Sequence, residues 1–376
     1  MTQNAPAIAV ESVGENPTPI WGLSNRERTR RIAAASGLLG PDAASATRVI
    51  VNDAYAWDPA WLGHIAENPG LVLTMDHVPV LAHARTSEEA EAIRTSIREN
   101  RPLGPSGLTV LAYENSPTIE NKRLRKRETP FLMALAPDTI RRVERASYFG
   151  AYKGVTDILT KYLWPEWALV ITRICAKFGI TPNVVTATGA ILCVWATVLF
   201  ARGDYWEGMA VGLGFMVLDT VDGKLARCTI TSSWWGNILD HGIDLVHPPF
   251  WWWFWATGLV HWGLELSPES FKSVMIAIIG GYVLQRVIEG IFMRRNGGMH
   301  IHVWRRFDSR FRLITARRNP NMVILLVSMI FGRPDLGIVA VAWWTVVSCA
   351  IHAVRLLQAE VARTDHGRLT SWLSEA

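Results

Sequence analysis

A chain of 376 residues with 18 tryptophans and a hydrophobic fraction of 49% is unusual for a soluble protein and suits one with membrane segments. Its formal net charge of +5 is mild and argues against nucleic acid as a partner. The cysteines Cys175, Cys193, Cys228 and Cys349 form no CxxC pair, so they read as reduced structural thiols rather than metal ligands.

Residues 1–140 look soluble. The N-terminus lacks a basic segment followed by an apolar one, which predicts no cleaved signal peptide and a cytoplasmic N-terminal region. Residues 48–52 and 70–74 read as strands. Residues 87–100 read as a helix with Ser87 as N-cap and acidic residues in its first turn. Strands alternating with helices predict a small α/β domain. It contains neither GxxxxGK[ST] nor GxGxxG. The basic run 121–127 (NKRLRKR) reads as a solvated linker or as a surface for anionic lipid.

Further along, Trp167, Val170, Ile171, Ile174, Cys175 and Phe178 recur at helical spacing, which predicts an amphipathic helix lying in the membrane interface. Thr181-Pro182-Asn183 reads as an N-cap followed by a proline at the first helical position. Six membrane spans are then predicted, at about 183–202, 205–228, 234–261, 272–293, 319–333 and 336–357. The Arg-rich connection between the fourth and fifth places that loop and both termini in the cytoplasm. Trp234, Trp235, Trp251, Trp252, Trp253, Trp255 and Trp262 suggest an aromatic belt, and His247-Pro248-Pro249 suggests a kink. The expected fold is an all-α six-helix transmembrane domain (150–360) preceded by the small soluble α/β domain (1–140).

The residues that point to chemistry lie in the second and third spans. Asp219, Asp222, Gly223, Ala226 and Arg227 form one helical stripe; Gly236, Asp240 and Asp244 form another on the next helix. A short turn lets the two stripes face each other. An aspartate at the centre of a membrane helix costs roughly 2.5–3.5 kcal/mol on insertion scales, so four cost on the order of 10 kcal/mol if left unpaired. Lys224, Arg227 and His241 are the neighbouring groups that could offset this by ordinary pairing. Otherwise the surplus charge calls for a hard cation, and a site open to a phosphorylated substrate suits Mg²⁺ best.

Written out, the segment is Asp219-x2-Asp222-Gly223-x2-Ala226-Arg227-x8-Gly236-x3-Asp240-x3-Asp244, with eight fixed residues in 26 positions. It resembles at each of them the signature of the CDP-alcohol phosphatidyltransferase family, and the resemblance covers about residues 150–357. It implies a six-helix membrane core, usually a homodimer, that moves a phosphoalcohol group from a CDP-linked donor to a hydroxyl acceptor and releases CMP. It also implies Mg²⁺ or Mn²⁺, as two ions, on Asp219, Asp222 and Asp240. Asp244 would be the general base and a further metal contact. Gly223, Ala226, Arg227 and Gly236 would hold the CDP moiety. The acceptor could be inositol phosphate, glycerol phosphate or a lipid hydroxyl.

The stretch around residues 152–157 (YKGVTD) is similar to the junction of enzymes that fuse a cytidylyltransferase to an inositol-phosphate-using member of that family. The soluble domain would then be a degenerate nucleotidyltransferase relative with a regulatory or structural role. Intramembrane aspartates also occur in transporters, which is the competing reading; a non-catalytic membrane anchor is a third. Arg286 and Glu289 read as an i, i+3 pair or as an anion site, with Arg294, Arg295, Arg317 and Arg318 as further anion-binding candidates. His300 and His302 alternate among basic residues and are not read as a metal site.

Overall fold

The computed structural model describes residues 8–38, 47–232 and 234–375, with the side chains of Trp235, Asn237, Asp240, His241, Asp365 and His366 outside the described set. Two compact units emerge. The first comprises the described residues up to Tyr152 with Ala176–Phe178 and Ala226–Thr231; the second holds Lys153–Cys175, Gly179–Leu225 and the residues from 234 onward.

The first unit is α/β. Strands β1 (Ala9–Val13), β2 (Arg48–Asn52), β4 (Leu71–Met75), β5 (Val78–Ala84) and β6 (Thr109–Ala112) form one mixed sheet in the order β1-β2-β5-β4-β6. The pairs β1–β2 and β4–β6 are parallel; β2–β5 and β4–β5 are antiparallel. Alternation along β2 explains why both faces are covered. Val49 and Val51 pack with Ile32 of helix α1 (Asn25–Ala35) and with Trp61, Leu62 and Ile65 of α2 (Pro59–Ala66). Ile50 joins Ala90, Ile93 and Ile97 of α3 (Ser87–Arg98) in the opposite layer. The cap of α3 is Thr86 rather than Ser87: the Thr86 hydroxyl accepts from the Glu89 amide at 3.2 Å. The basic run is not a linker. Strand β3 (Tyr55–Trp57) pairs with β9 (Leu132–Ala134), and β7 (Ile119–Asn121) turns into β8 (Lys126–Glu128). Lys126 is buried, with its ammonium 2.5 Å from the Gly150 carbonyl at the end of α4 (Ile140–Gly150).

The second unit is helical: α5 (Ile158–Tyr162), α6 (Pro165–Lys177), α7 (Pro182–Ala201), α8 (Tyr205–Cys228), α9 (Trp234–Gly258), α10 (Pro268–Met275), α11 (Gly281–Arg295), α12 (Arg306–Phe311), α13 (Arg318–Ile330) and α14 (Pro334–His366). The last residues of α6 and α8 cluster with the first unit. A π turn over Ile276–Gly280 joins α10 to α11. The stretches Pro182–Ala201, Pro268–Arg295 and Pro334–Thr364 are long and apolar enough to cross a membrane. Charged residues keep α8 from meeting that test by composition. The 13 residues of α13 rise only about 20 Å, short of a hydrocarbon core of about 30 Å.

Thr181 caps α7 as its sequence suggests, its hydroxyl accepting from the Val184 amide at 3.4 Å with Pro182 next in line. On α6, Trp167, Val170, Ile174 and Phe178 are exposed, whereas Ala168, Leu169, Thr172 and Cys175 are buried. One apolar face of α6 therefore packs against protein and another points outward.

Not all the tryptophans of α9 form a belt. Trp251, Trp252 and Trp255 are buried, and Trp251 and Trp255 pack on Phe200, with Trp255 stacked on Tyr205 at 4.2 Å. Helical phase separates them from Trp253, which is exposed, as are Trp234 at the start of the helix and Trp262 in the turn after it. The helix continues through Pro248 and Pro249. Pro249 cannot donate to the Leu245 carbonyl, and the Tyr282 hydroxyl of α11 donates to it instead at 2.9 Å.

Two outcomes follow. A β-carbon at Gly258 would lie 2.0 Å from the Phe200 carbonyl oxygen, where α7 and α9 meet. Gly258→Ala is expected to destabilise the helical unit by about 1–3 kcal/mol, whereas Gly242→Ala, with nothing within 4 Å of its new methyl, is not. Thermal unfolding in detergent reads both. In the first unit, burial lifts the Asp53 carboxyl from 3.8 to about 6, against the opposing pull of Ser12 and Arg26. Between those values the folded chain keeps a proton that the unfolded chain releases. Stability from this group is therefore present at low pH and lost as pH rises through about 6. Asp53→Asn should stabilise the sheet at pH 7.5 by on the order of 2 kcal/mol, and progressively less toward pH 4, as read by amide hydrogen exchange of β2 and β5.

Candidate active site

Three helices bring the acidic side chains together. Asp219 and Asp222, three residues apart on α8, line the same cleft with Thr186 and Gly189 of α7, Phe215 of α8 and Ile243 of α9. Gly189 leaves room there: a β-carbon on it would sit 3.4 Å from the Phe215 ring. Asp222 is buried, and the Thr186 hydroxyl donates to its Oδ2 at 2.6 Å while the Gly223 amide donates to its Oδ1. A carboxylate this deep depends on such donors.

Asp244 of α9 joins the group through an arginine. Arg318, the first residue of α13, donates from Nη2 to Asp219 Oδ2 at 2.6 Å and from Nη1 to Asp244 Oδ1 at 2.7 Å. Its guanidinium also lies 4.8 Å from the centre of the Phe215 ring. The carboxylates of α8 and α9 therefore come within the span of one guanidinium. Their exposure differs: the Asp219 side chain is 17% exposed and that of Asp244 is 46% exposed, so Asp244 is the more open to an incoming substrate. The Asp240 and His241 side chains lie outside the described residues; the backbone puts Asp240 one helical turn before Asp244.

The nucleotide candidates are less uniform. Gly223 and Gly236 are half-buried on α8 and α9. Ala226 and Arg227 fall with the first unit, where Arg227 Nε donates to the Ala151 carbonyl at 3.1 Å. Lys224 is buried.

The counter-charge of Asp219 and Asp244 is thus Arg318, which the sequence offered only as one of several anion-binding arginines. Its position is 99 residues beyond Asp219, so no local spacing could assign it. Its one local sign is position: with Arg317 it opens an apolar helix directly after a basic loop. Arg317 contacts Glu289 of α11, which also accepts from His302 Nε2 at 3.1 Å and lies 3.6 Å from Arg286. The i, i+3 pair of Arg286 and Glu289 therefore exists, inside a larger network. The ligand atoms of Glu289, His302 and the buried His352 fall within 4.8 Å of one another. With Arg317 already on Glu289, this group works as an ion-pair hub.

The acidic set suits a hard divalent cation: it offers only carboxylate oxygens, and a guanidinium already bridges two of them, so the position favours positive charge.

Comparison with known proteins agrees with this chemistry. Residues 179–306 match the family model described as CDP-alcohol phosphatidyltransferase. A phosphatidylinositol phosphate synthase of Mycolicibacterium smegmatis is 24% identical over 226 residues, which span 56% of this chain and 90% of that protein. An archaetidylinositol phosphate synthase of Pyrococcus horikoshii is 25% identical over 193 residues, 50% of this chain and 91% of that protein. Cholinephosphotransferase 1 of Gallus gallus is 31% identical over 127 residues, 31% of this chain, and the match spans only 36% of that protein's length. Cleft and carboxylates lie within the segment that matches the CDP-alcohol phosphatidyltransferase model, so residues 179–306 are similar to that family.

Proposed function

We propose that the chain transfers a phosphoalcohol group from a CDP-linked lipid to the hydroxyl of a phosphorylated polyol, with release of CMP. The observation that carries this is that Asp219 lines one cleft with Asp222 and shares one cation, Arg318, with Asp244 of the next helix. The choice of acceptor rests on relatives named phosphatidylinositol phosphate synthase and archaetidylinositol phosphate synthase, which match over most of their lengths. A transporter gains no comparable support.

In this reading the acceptor oxygen attacks the phosphorus that bears the alcohol. The bond to the bridging pyrophosphate oxygen breaks, and CMP departs with that oxygen. Asp244, the more open carboxylate, takes the acceptor's proton. Asp219, Asp222, Asp240 and Asp244 would hold the divalent ions, Mg²⁺ by preference and two in number, which neutralise the charge of the pyrophosphate when bound. Thr186 keeps Asp222 oriented through its 2.6 Å bond. Phe215 and Ile243 limit water at the cleft. Gly223, Ala226, Arg227 and Gly236 would receive the CDP group.

All six helices α7, α8, α9, α10–α11, α13 and α14 would belong to the membrane core, as a homodimer in the cell membrane with both termini in the cytoplasm. The exposed apolar residues Ile191, Val194, Trp195, Val198, Leu326, Val327 and Ile330 support lipid contact for α7 and α13. The α/β unit would have a regulatory or structural role.

The test uses the full chain in lipid nanodiscs with Mg²⁺, CDP-diacylglycerol and inositol phosphate. CMP release is expected. Asp244→Asn should lower its rate by about 10²–10⁴-fold, the usual contribution of a positioned base, in a protein that still folds. Normal release by Asp244→Asn would overturn the role of that residue. Release only from CDP-choline with diacylglycerol would overturn the choice of acceptor.

A further inference from the structure

Three consecutive side chains at the start of α13 are held in three directions. Arg317, itself buried, contacts Glu289 of α11, and His302 Nε2 lies 3.1 Å from the same carboxylate. Asn319 Nδ2 donates to Asp157 Oδ1 at 3.0 Å and to Thr160 Oγ1 at 3.2 Å, both on the α5 turn. Just upstream, the Ala316 amide donates to the Ser348 hydroxyl of α14 at 3.1 Å. Between these anchors Arg318 faces the carboxylates. Its Nη1 and Nη2 are on Asp244 and Asp219, its Nε is 3.1 Å from Asn319 Oδ1, and its side chain is 11% exposed.

We infer that Arg318 is a tethered cation that competes with divalent metal for Asp219 and Asp244, seated by the Arg317–Glu289 and Asn319–Asp157 contacts on either side of it. The inference rests on the proposed metal-binding role of those carboxylates and adds a residue that opposes it. A carboxylate oxygen that accepts from a guanidinium offers that lone pair to nothing else, and two cations on the same pair of oxygens repel. Metal that draws on these two oxygens therefore competes with the guanidinium for them. Arg318 also balances two like charges that would otherwise repel across the α8–α9 interface. The site is in this way both kept together and kept from binding metal irreversibly. Arg317, Asn319, Glu289 and Asp157 act as positioning residues, because they touch neither the cleft carboxylates nor the reacting atoms.

The experiment is a Mn²⁺ titration of the full chain in nanodiscs, followed by the electron paramagnetic resonance signal of free Mn²⁺. Wild type should bind Mn²⁺, and Asp222→Asn should bind it more weakly. Arg318→Gln should bind it about tenfold more tightly or better, since removal of a cation at contact distance favours a second cation. Glu289→Gln, which loosens Arg317, should move affinity the same way by a smaller factor. Equal or weaker binding by Arg318→Gln, while wild type still binds, overturns the inference and leaves the metal site standing. Absence of Mn²⁺ binding by wild type instead overturns the metal site itself. Should Arg318→Gln fail to fold, the wild-type protein labelled with ¹⁵N-arginine supplies the answer. Its Arg318 Nη signals, identified by their loss in Arg318→Lys, should move on addition of Mg²⁺; signals that stay in place overturn the inference.

Discussion

The pairing of Asp219 and Asp244 through Arg318 is the constraint on which the helical unit depends. Carboxylates on α8 and α9 cannot share an apolar surrounding without a cation between them. The guanidinium that meets this need comes from α13, which packs on α14, while α7 packs on α9 and lends Thr186 to Asp222. One ion-pair network thereby fixes how four helices meet. The buried tryptophans at the far end of α9 complete that packing by shape rather than charge.

The carboxylates sit where the helices are least regular. Pro248 and Pro249 interrupt the backbone bonds of α9 one turn after Asp244, and Tyr282 satisfies a carbonyl so freed. Asp157, the cap of α5, doubles as the anchor of Asn319, so a short helix outside the core sets the start of α13. Burial pushes the Asp157 carboxyl up, but the nearby Arg312 charge and the hydrogen bonds from Thr160 and Asn319 outweigh it and hold the group below its ordinary value, so this anchor stays charged at neutral pH.

Much of this was legible in the residues. The i, i+3 and i, i+4 spacing of the aspartates puts each pair on one stripe of its own helix because helical period leaves little choice. The Thr181-Pro182 cap fixes where α7 begins, and the α/β character of the first unit follows from its short apolar strands and the capped α3. Other features depend on tertiary neighbours. Arg318 could not be assigned to Asp219 because 99 positions separate them. The run 121–127 looked like a charged linker because charge dominates its composition, yet its backbone turns into a hairpin that buries Lys126. Trp251 and Trp255 looked interfacial by residue type, but their phase on α9 points them at Phe200.

The central claim is that the α8 and α9 carboxylates form one cation site. Its most direct measurement is a crystallographic anomalous-difference map of the protein soaked in Mn²⁺. The account predicts peaks about 2.1–2.2 Å from oxygens of Asp219, Asp222 and the α9 aspartates, close to the range seen for hard octahedral ions. Peaks confined to surface carboxylates, with Arg318 still between Asp219 and Asp244 at saturating Mn²⁺, would contradict it.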